Sequence, residues 1–153
     1  MKNGPHTWRA RECDRFCTLA MASHLDSNPD HVFIFDTTLR DGQQCPGAGM
    51  SPDLNIEYAL LAADANIDIV EAGFPSASAT DFGIVHEIAQ IYAARRTAPT
   101  VCGLCQLRPE QVAKTIEAVL PAKGRARVHI YLPVDPNLMI ASLGSKHVDQ
   151  AAL

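Results

Sequence analysis

From Val32 onward, short apolar runs alternate with longer amphipathic segments, and the alternation continues to the end of the chain. Runs rich in β-branched and apolar residues at about 32–36 (VFIFD), 67–71 (IDIVE), 100–104 (TVCGL) and 127–132 (RVHIYL) predict strands. Helices are predicted between them at about 52–65, 80–95 and 109–120. The first and third open with Ser-Pro-Asp and Arg-Pro-Glu, and proline suits an early helical position because the N–H it lacks would have no partner there. Strand, helix, strand at a spacing of roughly thirty residues is the mark of βαβ units, so the fold class is α/β with a parallel sheet. Residues 1–31 show no sustained period and mix polar, charged and breaker residues. They read as a variable leader, disordered or holding one short helix around Cys13 to Ser23.

Composition narrows the partners. At 153 residues the chain is long enough to bury a core of its own. Its net charge is −4, with Lys and Arg scattered, which leaves no electrostatic footprint for nucleic acid or an anionic membrane surface. No apolar run approaches the roughly 20 residues of a membrane span, and "CTLAMA" is too short and poorly flanked for a secretory signal, so a cytoplasmic protein is expected. The five cysteines, odd in number and irregular in spacing, read as reduced thiols rather than a disulfide framework.

The polar residues collect where the strands end. Asp36, Arg40 and Asp41 follow the first strand, Glu71 closes the second, Gln106 and Arg108 follow the third, and His129 lies within the fourth. Each alone has an ordinary structural account: "RDG" a turn, Glu71 a capping or salt-bridged group, His129 a satisfied core histidine. Together they point to one site assembled from several loops, because parallel α/β proteins bind ligands at the carboxyl ends of their strands. An aspartate there is a hard oxygen ligand for a divalent metal, and an adjacent arginine can neutralise an oxyanion. That pairing suits enolate chemistry. One aspartate is not a metal site, and the ligands that would complete the coordination are not obvious in the sequence.

"FDTTLRDGQQCPGAGMS", "NIDIVEAGFPSAS", "GLCQLRPEQVAKTIEA" and "RVHIYLP" together resemble the amino-terminal half of the 2-isopropylmalate synthases. These belong to a superfamily of metal-dependent TIM barrels that also holds homocitrate synthase, citramalate synthase and hydroxymethylglutaryl-CoA lyase. The resemblance runs from about Val32 to Leu143. It implies a partial (β/α)8 barrel, about the first four β/α units, with 32–153 as the amino-terminal half of the catalytic domain. It further implies Asp41 as a ligand of a divalent cation (Mg, Mn or Zn), Arg40 as the oxyanion group, and Glu71 in the network around that arginine. Gln44 would line the site, Leu104 would shape the pocket for the 2-oxo acid side chain, and His129 would stand on the substrate side. Position 43 is Gln where the synthases usually show Glu, and "IYLPVDPN" replaces a short Ser/Thr-containing stretch.

The reaction implied condenses acetyl-CoA with 3-methyl-2-oxobutanoate in leucine biosynthesis, and full-length members are expected to be homo-oligomers. An apolar Leu104 favours a branched aliphatic side chain over the second carboxylate of 2-oxoglutarate, which would be costly to bury unpaired. Homocitrate or citramalate synthesis, or another metal-dependent aldol or lyase reaction of the superfamily, is the alternative. The family's His-x-His metal ligands and its later general base have no counterpart among the six isolated histidines. The expectation is therefore a synthase fragment, inactive alone unless a second chain completes the barrel. A reading of another class is a non-catalytic zinc-binding module using Cys102, Cys105, Cys13 and Cys17. Against it, Cys102 and Cys105 fall on a predicted strand and its exit rather than on a knuckle.

Overall fold

The computed structural model describes residues 30–143; the helix expected around Cys13 to Ser23, and both cysteines of that region, lie outside them. Four strands form one sheet: β1 (Phe35–Asp36), β2 (Ile69–Gly73), β3 (Thr100–Gln106) and β4 (Ala126–Tyr131). Between and after them run α1 (Pro52–Asp64), α2 (Ala79–Ala94), α3 (Pro109–Val119) and α4 (Pro136–Leu143). Every strand pairing is parallel and the order is β1-β2-β3-β4. Sequential order without reversal is the winding of a barrel, whereas a doubly wound sheet turns back at a switch point. The fold is α/β, a partial barrel of four β/α units.

The helices begin where their caps dictate. Ser51 Oγ accepts from the Leu54 N–H at 3.3 Å ahead of α1, and Ser78 Oγ accepts from the Asp81 N–H at 3.0 Å ahead of α2. Each hydroxyl satisfies a first-turn donor that has no partner within the helix. At the other end of α2, the Arg125 guanidinium donates to the carbonyls of Tyr92 (2.8 Å), Arg95 (3.0 Å) and Arg96 (2.8 Å). A cation on the last carbonyls matches the negative end of the helix dipole. Val85, Ile88, Ala89 and Tyr92, spaced as one helical face, are fully buried against the sheet layer. The Tyr92 hydroxyl, buried with them, donates to the Ala59 carbonyl at 2.8 Å and ties α2 to α1.

Three differences from the sequence reading have clear causes. The second strand, expected over 67–71 with Glu71 closing it, runs Ile69–Gly73, because its ladder with β3 continues to Gly73, and Glu71 sits mid-strand. The strand expected over 32–36 pairs only at Phe35 and Asp36. It is an edge strand, and Phe33 and Ile34 before it are half-exposed; the Ile34 N–H goes to the Asp68 carboxylate (2.8 Å) instead of a ladder carbonyl. Helix α4 was not expected. Its signal was present in "DPN": Asp135 Oδ1 accepts from the N–H groups of Asn137 and Leu138, both at 3.0 Å, with Pro136 at the first helical position.

Asp36 faces α1. Its carboxylate accepts from the Thr38 N–H at 2.8 Å and the Tyr58 hydroxyl at 2.7 Å. Burial pushes this carboxyl up, but the hydrogen bonds from Thr38 and Tyr58 outweigh it and hold it below the usual carboxylate range. A depressed folded value means stability present above the unfolded value of about 3.9 and lost as pH falls through the folded one. Asp36→Asn is therefore expected to flatten the loss of melting temperature below about pH 4. An unchanged acid limb would remove Asp36 from the account.

Gly103 sets how closely α3 approaches β3. A Cβ there would stand 2.7 Å from Thr115 Cγ2 and 3.3 Å from Val119 Cγ1. Gly103→Ala is expected to cost about 1–3 kcal/mol in urea unfolding, as overpacking of a tight contact does. Thr115→Ser, which removes Cγ2 and keeps the hydroxyl, is expected to recover most of that loss in the double variant. Failure of the serine to rescue would place the strain elsewhere.

Candidate active site

Registered strand pairs show which side chains share a face. Glu71 stands beside Cys102, Leu104 beside His129, and Gln106 beside Tyr131. With two-residue alternation along each strand, these residues line the face opposite the helices, the inner face of a barrel. Gly103, between Cys102 and Leu104, points to α3, as its contacts require.

Arg40 and Asp41 reach this face from the turn after β1. The N–H groups of Arg40, Asp41 and Gly42 all donate to the Thr37 carbonyl, at 3.1, 2.7 and 3.2 Å, folding the chain back over the strand end. A short 3-10 turn, Gly42–Gln44, follows. Gln43 pins it: its Nε2 donates to the Leu39 carbonyl (2.7 Å) and to Asn55 Oδ1 (2.6 Å), and its Oε1 accepts from the Met50 N–H (2.9 Å). A glutamate could not make the two donations, so glutamine at position 43 serves the scaffold here.

The structure joins four of the sequence-predicted residues in one hydrogen-bonded chain. Arg40 Nε donates to Glu71 Oε2 at 2.6 Å, Arg40 Nη1 donates to Asp41 Oδ1 at 2.8 Å, and His129 Nδ1 meets Glu71 Oε1 at 2.6 Å. The Glu71 side chain is 0% exposed and Arg40 20%, while His129 is 42% and Asp41 60% exposed. Glu71 is thus the buried anchor and the other groups open toward solvent. A carboxylate only accepts, so Nδ1 of His129 carries the proton in this contact and a neutral ring keeps a lone pair on Nε2. Phe35 meets the His129 ring edge-on, with centroids 6.1 Å apart.

The remaining predicted residues fall around this chain. Leu104, buried, stands in register with His129 as apolar floor. Gln44 is exposed beside Asp41 and makes no side-chain hydrogen bond to the chain. Asp36, counted in the sequence among the residues gathered at the strand ends, instead holds Tyr58 on α1. Tyr131 escaped the sequence reading: at the far end of β3 and β4 its hydroxyl accepts, at 2.7 Å, from Nε2 of Gln106, a residue the sequence places at the strand ends.

Among the described residues, no group of three or more His, Cys, Asp or Glu is placed to hold a metal ion. Asp41 fits as a single ligand: an exposed carboxylate with one oxygen on Arg40. Cys102 and Cys105 do not converge on a metal. Three residues apart on a strand, they face opposite sides of the sheet. Burial pushes the Cys102 thiol up to about 12 and raises that of Cys105, so both stay protonated. No described helix is long and apolar enough to cross a membrane.

A singly wound parallel sheet that carries a buried glutamate and a histidine on its inner face, with an arginine on the turn after β1, defines a (β/α)-barrel unit. Residues 31–152 match the family model described as HMGL-like, and the chain belongs to the HMGL-like family. Over 116 residues it is 43% identical to a 2-isopropylmalate synthase of Bradyrhizobium sp. (strain ORS 278), covering 76% of this chain and 21% of that protein. A 2-isopropylmalate synthase of Rhodopseudomonas palustris (strain BisA53) is 44% identical over 115 residues, 75% of this chain and 21% of that protein. The chain spans about a fifth of the length of the curated relatives it matches.

Proposed function

We propose that this chain carries the 2-oxo-acid side of a 2-isopropylmalate synthase site, in which acetyl-CoA condenses with 3-methyl-2-oxobutanoate. The observation that carries the reading is the Arg40–Glu71–His129 chain beside Leu104 on the inner face of the strands, with Arg40 reaching it from the turn after β1. In that reaction the acetyl methyl loses a proton, the resulting enolate attacks the 2-oxo carbon, and water then releases CoA as the thiol. Negative charge develops on the former oxo oxygen. Arg40, fixed by two carboxylates, is an oriented donor that needs no rearrangement to meet it. Glu71 positions both Arg40 and His129, and the free Nε2 of His129 accepts a hydrogen bond from substrate or product hydroxyl. A divalent cation (Mg, Mn or Zn), with Asp41 as its ligand from this chain, would supply further polarisation of the oxo group. Gln44 borders the cation side. Among the described residues the sheet holds four strands where a closed barrel has eight, and the part of the reaction assigned to these residues is 2-oxo-acid binding.

Leu104 gives the substrate preference. An unpaired carboxylate against a buried leucine loses its hydration without compensation, so 3-methyl-2-oxobutanoate is expected to bind about 100-fold more tightly than 2-oxoglutarate. Titration calorimetry of the chain with both acids, followed by a thiol-release assay with acetyl-CoA, measures this. Preference for 2-oxoglutarate would move the protein to homocitrate-type chemistry, and binding of neither acid would sink the reading.

A further inference from the structure

The Gln106–Tyr131 pair has a fixed polarity that can be read from the backbone outward. The Gln106 N–H donates to Gln111 Oε1 at 3.0 Å. An N–H cannot accept, so Gln111 is locked with its oxygen toward β3 and its Nε2 toward Gln106 Oε1, 3.3 Å away. Gln106 is locked in turn, its Oε1 used by Gln111 and its Nε2 donating to the Tyr131 hydroxyl at 2.7 Å. The phenol oxygen is therefore an acceptor in this pair, and its own proton is left to point elsewhere.

We propose that the Tyr131 hydroxyl is a substrate-binding donor for a carboxylate oxygen of the 2-oxo acid, an assignment that rests on the functional reading above. Tyr131 shares the inner face with His129 and lies one pleat, about 7 Å, further toward the carboxyl end of β4. It is 37% exposed there, accessible to a ligand at the mouth of the strands. The charge count asks for such a donor. The Arg40 guanidinium already meets two carboxylates, Glu71 and Asp41, and is assigned to the oxo oxygen, so the ligand's carboxylate is left for another donor, and an O–H to an ionised oxygen makes a short, charge-assisted hydrogen bond. Leu104, in register with His129, is left for the aliphatic end of the same molecule.

Two substitutions test the donor by different routes. Tyr131→Phe deletes the hydroxyl. Gln111→Glu leaves Tyr131 in place but reverses the relay: a carboxylate at 111 still accepts from the Gln106 N–H, but its other oxygen now needs a donor. Gln106 then turns its Nε2 to that oxygen and its Oε1 to Tyr131, whose proton is consumed. Position 111 lies in the first turn of α3, where an acidic side chain suits the helix dipole, so the fold is kept. Each variant is expected to raise the Kd for 3-methyl-2-oxobutanoate about tenfold, and the double variant no more than either alone. Unfolding midpoints should not move with the Kd values. Wild-type affinity in Tyr131→Phe, with Arg40→Ala still abolishing binding, would overturn the donor assignment and leave the functional reading standing. Wild-type affinity in Gln111→Glu, or additive losses in the double variant, would overturn the relay. If the unmodified chain binds no 2-oxo acid, both fall together.

Discussion

In any preparation of this chain that releases CoA thiol, Asp41→Asn is expected to bring metal-dependent turnover below detection while the fold stays intact. The two halves of that expectation come from the same geometry. Asp41 is the most exposed member of the Arg40–Glu71–His129–Asp41 chain, and among the described residues its side chain is held by Arg40, Nη1 donating to Oδ1 at 2.8 Å. An asparagine keeps an oxygen for that contact, and exposed ion pairs contribute at most about 1 kcal/mol, so the melting temperature should fall by no more than about 5 °C. What asparagine cannot replace is the anionic oxygen that a hard divalent cation prefers. The measurement is thiol release against added Mn²⁺ or Mg²⁺, with thermal unfolding of the same sample. Retained turnover would free Asp41 of the metal role. A large loss of stability would mean that Asp41 holds the turn over β1 together, a job the Thr37 carbonyl already does through three N–H groups.

Topology was readable in the sequence because it follows from periodicity. A repeat of strand and helix at near-constant spacing has few ways to fold other than a parallel sheet, and the strand ends of such a sheet are where loops can converge. Hence the sequence alone places Arg40, Asp41, Glu71 and His129, separated by up to 89 positions in the chain, together. Side-chain direction was not readable to the same degree. Asp36 and Glu71 are both acidic residues closing a predicted strand, yet one turns to Tyr58 on α1 and the other to Arg40 on the inner face. The difference depends on strand register and on the irregularity between Glu71 and Gly73, which only a pairing partner defines. The two glutamines after Asp41 show the same limit: Gln43 locks the turn onto Asn55 while Gln44 stays exposed, and nothing in "GQQ" separates them. Tyr131 was hidden for another reason. Within "RVHIYL" it counts as one more apolar strand residue, and its polar tip acquires meaning only from Gln106 and Gln111 on a neighbouring strand and helix.

Glu71→Gln is the substitution with the most to reveal, because it changes one charge and reverses one hydrogen bond. The residue is fully buried, and its two oxygens receive Arg40 Nε and His129 Nδ1, each at 2.6 Å. A glutamine fits the space but has one acceptor and one donor group. Arg40 can only donate, so the glutamine oxygen goes to Arg40 and the NH₂ faces His129. His129 must then accept at Nδ1, and in the neutral ring its proton moves to Nε2, which changes from acceptor to donor toward the ligand. ¹⁵N NMR of His129 is expected to report the Nδ1–H tautomer in the unmodified chain and Nε2–H in Glu71→Gln. Removing the anion beside a largely buried guanidinium should also cost about 3–5 kcal/mol of stability, and 2-oxo-acid binding should weaken through both Arg40 and His129. Comparable changes follow when the carboxylate that orients a catalytic histidine is neutralised in other enzymes, where geometry survives and the tautomer does not. An unchanged Nδ1–H signal in Glu71→Gln, with affinity intact, would mean that Glu71 is only a structural plug beneath Arg40. The oxyanion-binding role would then be carried by Arg40 with Asp41 as the carboxylate that orients it.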